Sequence, residues 1–201
     1  MTEDDARAWI STRFGEAKTN LVAQFVDRVK IENAQQNLIA PSTIDTIWVR
    51  HALDSAQLIE LAGKSFSSWL DIGTGGGFPG VVVAILSDAE VTMVEPRRRR
   101  VEFLQQCVDT LGIARGRILQ AKVEQVDGQF DVISARAVAS VEKLLHAAEH
   151  CATAGTRWVL PRGRLEADHL AALRQNRHWM FHVKQSLTDV GSSIVVGERK
   201  A

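Results

Sequence analysis

The chain has 201 residues, 45% hydrophobic and 24% charged, and its 24 basic side chains balance 24 acidic ones. That size allows one well-buried domain and excludes two ordinary ones, and the composition excludes a disordered or fibrous chain. Two cysteines, Cys107 and Cys151, exclude a disulfide framework or a zinc pattern, and no apolar run is long enough for a bilayer.

Residues 1–62 read as helical. Thr2 and Asp5 have the spacing of a capping box ahead of Trp9, Ile10 and Phe14. Leu21, Phe25 and Val29 form an apolar stripe at four-residue steps. Pro41 interrupts, and Ser42 with Asp45 are placed to cap a following helix through Ile47, Trp48 and Leu53. From 66 onward strands are expected near 67–72, 91–94, 117–121, 130–134 and 156–160. Helices fill the gaps at 80–87, 97–111 and 140–151. The tail adds a helix over 165–175 and strand-like runs at 179–184 and 192–198. This rhythm predicts a mostly parallel α/β sheet covered on both faces, with 1–62 as a helical cap on one domain spanning 1–201.

The segment Trp69-Leu-Asp-Ile-Gly-Thr-Gly-Gly-Gly-Phe-Pro-Gly80 passes from a strand through a glycine turn into a helix. Glycines there permit positive φ and close backbone approach, the makings of a nucleotide-type cradle. The loose G-x-G-x-x-G spacing also fits a dinucleotide site. Asp71, ahead of the glycines, would repel a pyrophosphate but suits a ligand bearing an ammonium group. Glu95, at the end of the next strand, is placed to accept hydrogen bonds from ribose hydroxyls. The two carboxylates favour S-adenosylmethionine over NAD, with Gly73, Gly75, Gly77 and Phe78 in the cradle. Val123 and Glu124 follow the third strand, toward the adenine edge. Arg136 follows the fourth, near the point of methyl transfer.

Arg97, Arg98, Arg99 and Arg100 open a helix where positive charge opposes the dipole. Arg162 and Arg164 also follow a strand. Seventeen of the 24 basic residues are arginine, whose planar fork suits phosphate and base recognition. Together they make RNA or DNA the leading substrate class. His146/His150 and His178/His182 have i, i+4 spacing, but no carboxylates complete a metal site, so no metal is expected. The Pro-Pro-aromatic loop of amine methylation is missing after the fourth strand, and no cysteine stands at a strand end for attack on a pyrimidine. Guanine N7 needs neither, because it carries a lone pair and no proton; no catalytic acid or base is assigned.

The chain resembles the bacterial 16S rRNA guanine-N7 methyltransferases, once called glucose-inhibited division protein B, from about Asn37 to the C-terminus. Asn37-Leu38, Val49-Arg50-His51-x-x-Asp54-Ser55, the Leu70 to Gly80 loop, Arg100-Val101-x-Phe103-Leu104 and Ser134-x-Arg136-Ala137 carry the resemblance. It implies a seven-stranded Rossmann-like class I methyltransferase acting on one guanosine near the decoding site. Gly73, Phe78, Val123, Glu124 and Arg136 would line the S-adenosylmethionine pocket, with Arg50 and His51 at its mouth. The chain departs from the family with Ile39-Ala40-Pro41 in place of Thr after Asn-Leu, Glu95 in place of Asp, and Arg162-Gly163 in place of Lys-Gly. The partner expected is 16S rRNA or the small subunit, met in the cytoplasm, since the acidic opening Met-Thr-Glu-Asp-Asp is unlike a signal peptide; a monomer is expected because nothing in the sequence demands more. A small-molecule methyltransferase, an RNA-binding scaffold and an NAD(P) oxidoreductase are the rival readings.

Overall fold

In the computed structural model, strands β1 (Ser68–Ile72), β2 (Glu90–Val94), β3 (Gly116–Leu119), β4 (Phe130–Ala135), β5 (Ala152–Arg162), β6 (Trp179–Gln185) and β7 (Ser193–Arg199) form one sheet. The structure describes residues 1–200 except 64, 137–139, 166–170, 172 and 174. Most of the helix expected over 165–175, and Ala137 after β4, therefore lie outside the described residues. The strand order is β3-β2-β1-β4-β5-β7-β6. Pairings from β3 to β5 are parallel, and β7 runs antiparallel to both β5 and β6.

The sequence explains why the middle strands are central. Trp69, Leu70, Asp71 and Ile72 of β1 are all buried, as befits a parallel strand covered on both faces. Helix α4 (Gly80–Leu86) follows β1 and is buried along its whole length. Helix α5 (Arg98–Leu111) instead buries one stripe, Phe103, Leu104, Cys107, Val108 and Leu111, and ends on Gly112 in the left-handed region. Helix α6 (Val141–Ala148) starts from a Ser140 side-chain cap.

The N-terminal helices, α1 (Glu3–Phe14), α2 (Glu16–Gln36) and α3 (Asp54–Leu61), pack on one face of the sheet and share its apolar core. The Thr2–Asp5 capping box is present at α1. The second expected cap is not. Ser42 and Asp45 fall inside a 3-10 helix, Pro41–Thr46, with no side-chain cap. The next turn, Trp48–Leu53, winds as a π-helix, a form found often at functional sites. Glu3 caps it from α1, accepting the N–H groups of Trp48 and Val49 at 2.9 Å each. No described helix is long and apolar enough to cross a membrane.

Candidate active site

Where β1 and β4 run side by side, their carboxyl ends open into a cavity of about 700 Å³, the position at which open α/β sheets hold ligands. Its floor is the turn after β1. Gly73 and Thr74 donate their N–H groups to the Val94 carbonyl at 2.8 and 3.1 Å, which folds the turn over the end of β2. Gly75 (φ +60) and Gly77 (φ +96) lie in the left-handed region. At Gly76 a Cβ would stand 3.0 Å from Leu38, so the cap closes on the loop from above.

Asp71 supports this loop from behind. Its Oδ2 accepts the Thr74 hydroxyl at 2.6 Å and the Gly80 N–H at 2.9 Å. Its Oδ1 accepts the Ser134 hydroxyl at 2.7 Å, and Ser134 in turn accepts the Trp69 indole N–H at 2.8 Å. The side chain is fully buried and absent from the cavity wall. Burial raises the Asp71 carboxyl above the usual range, against the pull of Thr74, Ser134 and Gly80. The ammonium-facing position read from the sequence is therefore not where the structure puts this carboxylate: it organises the turn.

Glu95 does reach the wall. It is 3% exposed, its Oε2 accepts the Gly75 N–H at 3.0 Å, and its Oε1 accepts the Arg97 N–H at 2.9 Å. Arg100 lies alongside, its Nη1 3.8 Å from Glu95 Oε2. Gly73, Gly75 and Phe78 also line the cavity, whereas Gly77 sits behind it against Phe25. Val123 is buried in the apolar cluster with Val126 and Leu144, and Glu124 is exposed; neither is brought to the wall.

The arginines divide. Arg50, Arg97, Arg100, Arg136 and Arg162 line the cavity, while Arg98, Arg99 and Arg164 point to solvent off the wall. Arg136 lies over the Phe78 ring at 5.6 Å, donates to the Arg50 carbonyl at 3.3 Å, and stands 3.7 Å from Asp54. Burial lowers its guanidinium below the ordinary arginine value, and Asp54 and Asp71 counter this. At the mouth, Arg50 is paired with Asp189 at 2.8 Å.

His51 is neutral here. Burial, then Arg136, then Arg50 depress its imidazole to about 3. Its Nε2 lies 2.8 Å from the Thr43 hydroxyl, which donates its own proton to the Ala40 carbonyl at 2.8 Å. Thr43 can then only accept, so Nε2 carries the imidazole proton and Nδ1 the lone pair.

Sequence reasoning gives no role to several wall residues, among them Thr43, Asp54, Thr188 and Ser192. Asp54 was visible in the Arg-His-x-x-Asp-Ser segment but had no stated role. Thr188 and Ser192 lie in the β6–β7 hairpin loop and reach the cavity because β7 inserts beside β5. No local pattern signals that insertion.

A seven-stranded sheet of this order, with a glycine turn after β1, an acidic residue after β2 and a cavity across their ends, defines a class I methyltransferase. Solved structures agree on the fold. A ribosomal protein L11 methylase from Lactobacillus delbrueckii subsp. bulgaricus superposes with a TM-score of 0.64 at 16% identity, covering 76% of this chain and 79% of that one. A methyltransferase from Geobacter sulfurreducens gives 0.64 at 13% identity over 90% and 89%. The sequence goes further. Residues 18–194 match the GidB family model, rRNA small subunit methyltransferase G. The ribosomal RNA small subunit methyltransferase G of Novosphingobium aromaticivorans is 42% identical over 203 residues, covering 98% of this chain and 88% of the relative. The chain belongs to the rRNA small subunit methyltransferase G family.

Proposed function

We propose that this enzyme binds S-adenosylmethionine in the cavity and methylates N7 of one guanosine in 16S rRNA. The observation that carries the reading is the wall itself: a glycine turn and buried Glu95, with Arg97 and Arg100 beside it, at one end, and Arg50, Arg136 and Asp54 at the other. The first end fits the cofactor. A carboxylate 3% exposed, already oriented by two backbone N–H groups, keeps lone pairs for ribose hydroxyls. Glycines at 75 and 76 leave the floor without side chains.

Bound there, S-adenosylmethionine supplies an electrophilic methyl group on its sulfonium. The protein's share is to hold the acceptor in line and exclude water, because guanine N7 has no proton to remove. Neutral His51 and cationic Arg136 suit that task. Neither serves as a base: His51 keeps its lone pair buried, and Arg136 remains protonated. Arg50, Arg97, Arg98, Arg99 and Arg100 supply positive charge along the approach for the RNA backbone. The family resemblance of the Arg50 to Ser55 segment and the glycine loop supports a target near the decoding site.

A cellular comparison tests this. Nucleoside digests of 16S rRNA from strains with and without the gene should differ by a single 7-methylguanosine, restored by the gene on a plasmid. Identical digests would remove the reading.

A further inference from the structure

Five arginines line the cavity, and a carboxylate among them has to justify its place before a polyanionic substrate. Asp54 is the one carboxylate at the Arg136 end of the wall among the described residues. Its two oxygens are unequal. Oδ1 accepts from the Gln57 amide at 3.0 Å, the Thr188 hydroxyl at 3.1 Å and the Ser186 hydroxyl at 3.4 Å. Oδ2 has Arg136 Nη1 at 3.7 Å, longer than a well-made hydrogen bond. Three donors thus fix the orientation of a wall side chain whose second oxygen is left with spare accepting capacity.

Among the four RNA bases, only guanine presents two adjacent donors, N1–H and N2–H, with no acceptor between them. Adenine and cytosine offer a ring nitrogen acceptor there, and uracil flanks its single N–H with two carbonyls. Guanine's N1–N2 edge is also remote from N7, on the other side of the purine. A base held by that edge at Asp54 turns its N7 toward the glycine turn and Glu95. Resting on the function proposed above, we infer that Asp54 Oδ2 selects the base, accepting the N2–H and N1–H of the target guanine. Thr188, Ser186 and Gln57 are then its positioning residues.

The test uses the full-length enzyme and two versions of 16S rRNA, assembled by ligation and identical except at the methylated position. One carries guanosine there and the other inosine, which keeps N7 and N1–H but lacks the N2 amine. The readout is labelled methyl transferred from S-adenosylmethionine. Wild type should favour guanosine by about tenfold or more, the value of a hydrogen bond to a charged group. Asp54→Asn should lose activity on guanosine and narrow the preference to within about threefold, since its amide offers a donor where an acceptor is needed. Asp54→Ser, smaller and without charge, should narrow it likewise, and covers the case in which the first variant does not fold. Equal losses on both RNAs would make Asp54 a prop for Arg136 and the hairpin loop, and would overturn the inference. So would a wild type indifferent to the substitution. A wild type that methylates neither RNA, free or assembled into small subunits, would instead defeat the function proposed above, and this inference with it.

Discussion

Cζ of Phe25 lies 2.6 Å from the point where a Cβ on Gly77 would stand. The N-terminal cap and the glycine turn therefore meet at a position that admits no side chain. Gly77 also holds φ +96, so an L-residue there is strained as well as crowded. Gly77→Ala is expected to destabilise the protein by about 2–4 kcal/mol, overpacking and strain adding. Urea unfolding midpoints would measure it. Gly112→Ala, also at positive φ but with nothing within 4 Å of its Cβ, should cost only the strain, about 1 kcal/mol.

His51 gives the fold a defined acid sensitivity. Its folded value of about 3 lies below the ordinary 6.5. The unfolded chain therefore binds a proton that the native state refuses between those limits, and stability falls as pH drops through that window. From pH 7 to pH 5 this one group should remove about 2 kcal/mol. Urea titrations at the two pH values should show wild type losing more stability than His51→Gln by that margin. Equal losses would mean that His51 titrates normally.

Much of this molecule was legible in the sequence because its signals are local. The seven strands, the glycine turn and α5 rest on short-range periodicity and on glycine chemistry, and they fall where those signals put them. The Thr2 cap belongs to the same class. What escaped depends on distant partners. Glu3, 45 residues away, takes over the capping expected of Ser42 and Asp45. The ligand-facing reading of Asp71 rests on charge alone, a carboxylate there repelling a pyrophosphate and suiting an ammonium group; the hydroxyls of Thr74 and Ser134 turn it inward. The site of Thr188 depends on β7 inserting between β5 and β6, which nothing in its own neighbourhood announces.

Glu95 should matter for cofactor affinity. Glu95→Ala removes both the acceptor proposed for the ribose and the fixed partner of the Gly75 N–H. S-adenosylmethionine binding by calorimetry is expected to weaken about tenfold to a hundredfold. An unchanged dissociation constant would place the ribose elsewhere on the wall.

The exposed pair Arg98 and Arg99 separates RNA affinity from cofactor affinity. Both sit outside the cavity wall, and Arg98 forms a surface pair with Glu102. Arg98→Gln with Arg99→Gln should weaken 16S rRNA binding and reduce the salt slope of log affinity by up to about 1.4–1.8. Cofactor binding should be unaffected. A salt slope equal to that of wild type would show that these arginines do not meet phosphate.

One transfer experiment tests the methylation of 16S rRNA most directly. Purified protein, labelled S-adenosylmethionine and small ribosomal subunits from a strain lacking the gene would be combined, and the RNA digested to nucleosides. Label is expected in 7-methylguanosine alone, at one position of 16S rRNA. Label in another nucleoside, or no transfer by a protein that binds the cofactor, would contradict that expectation.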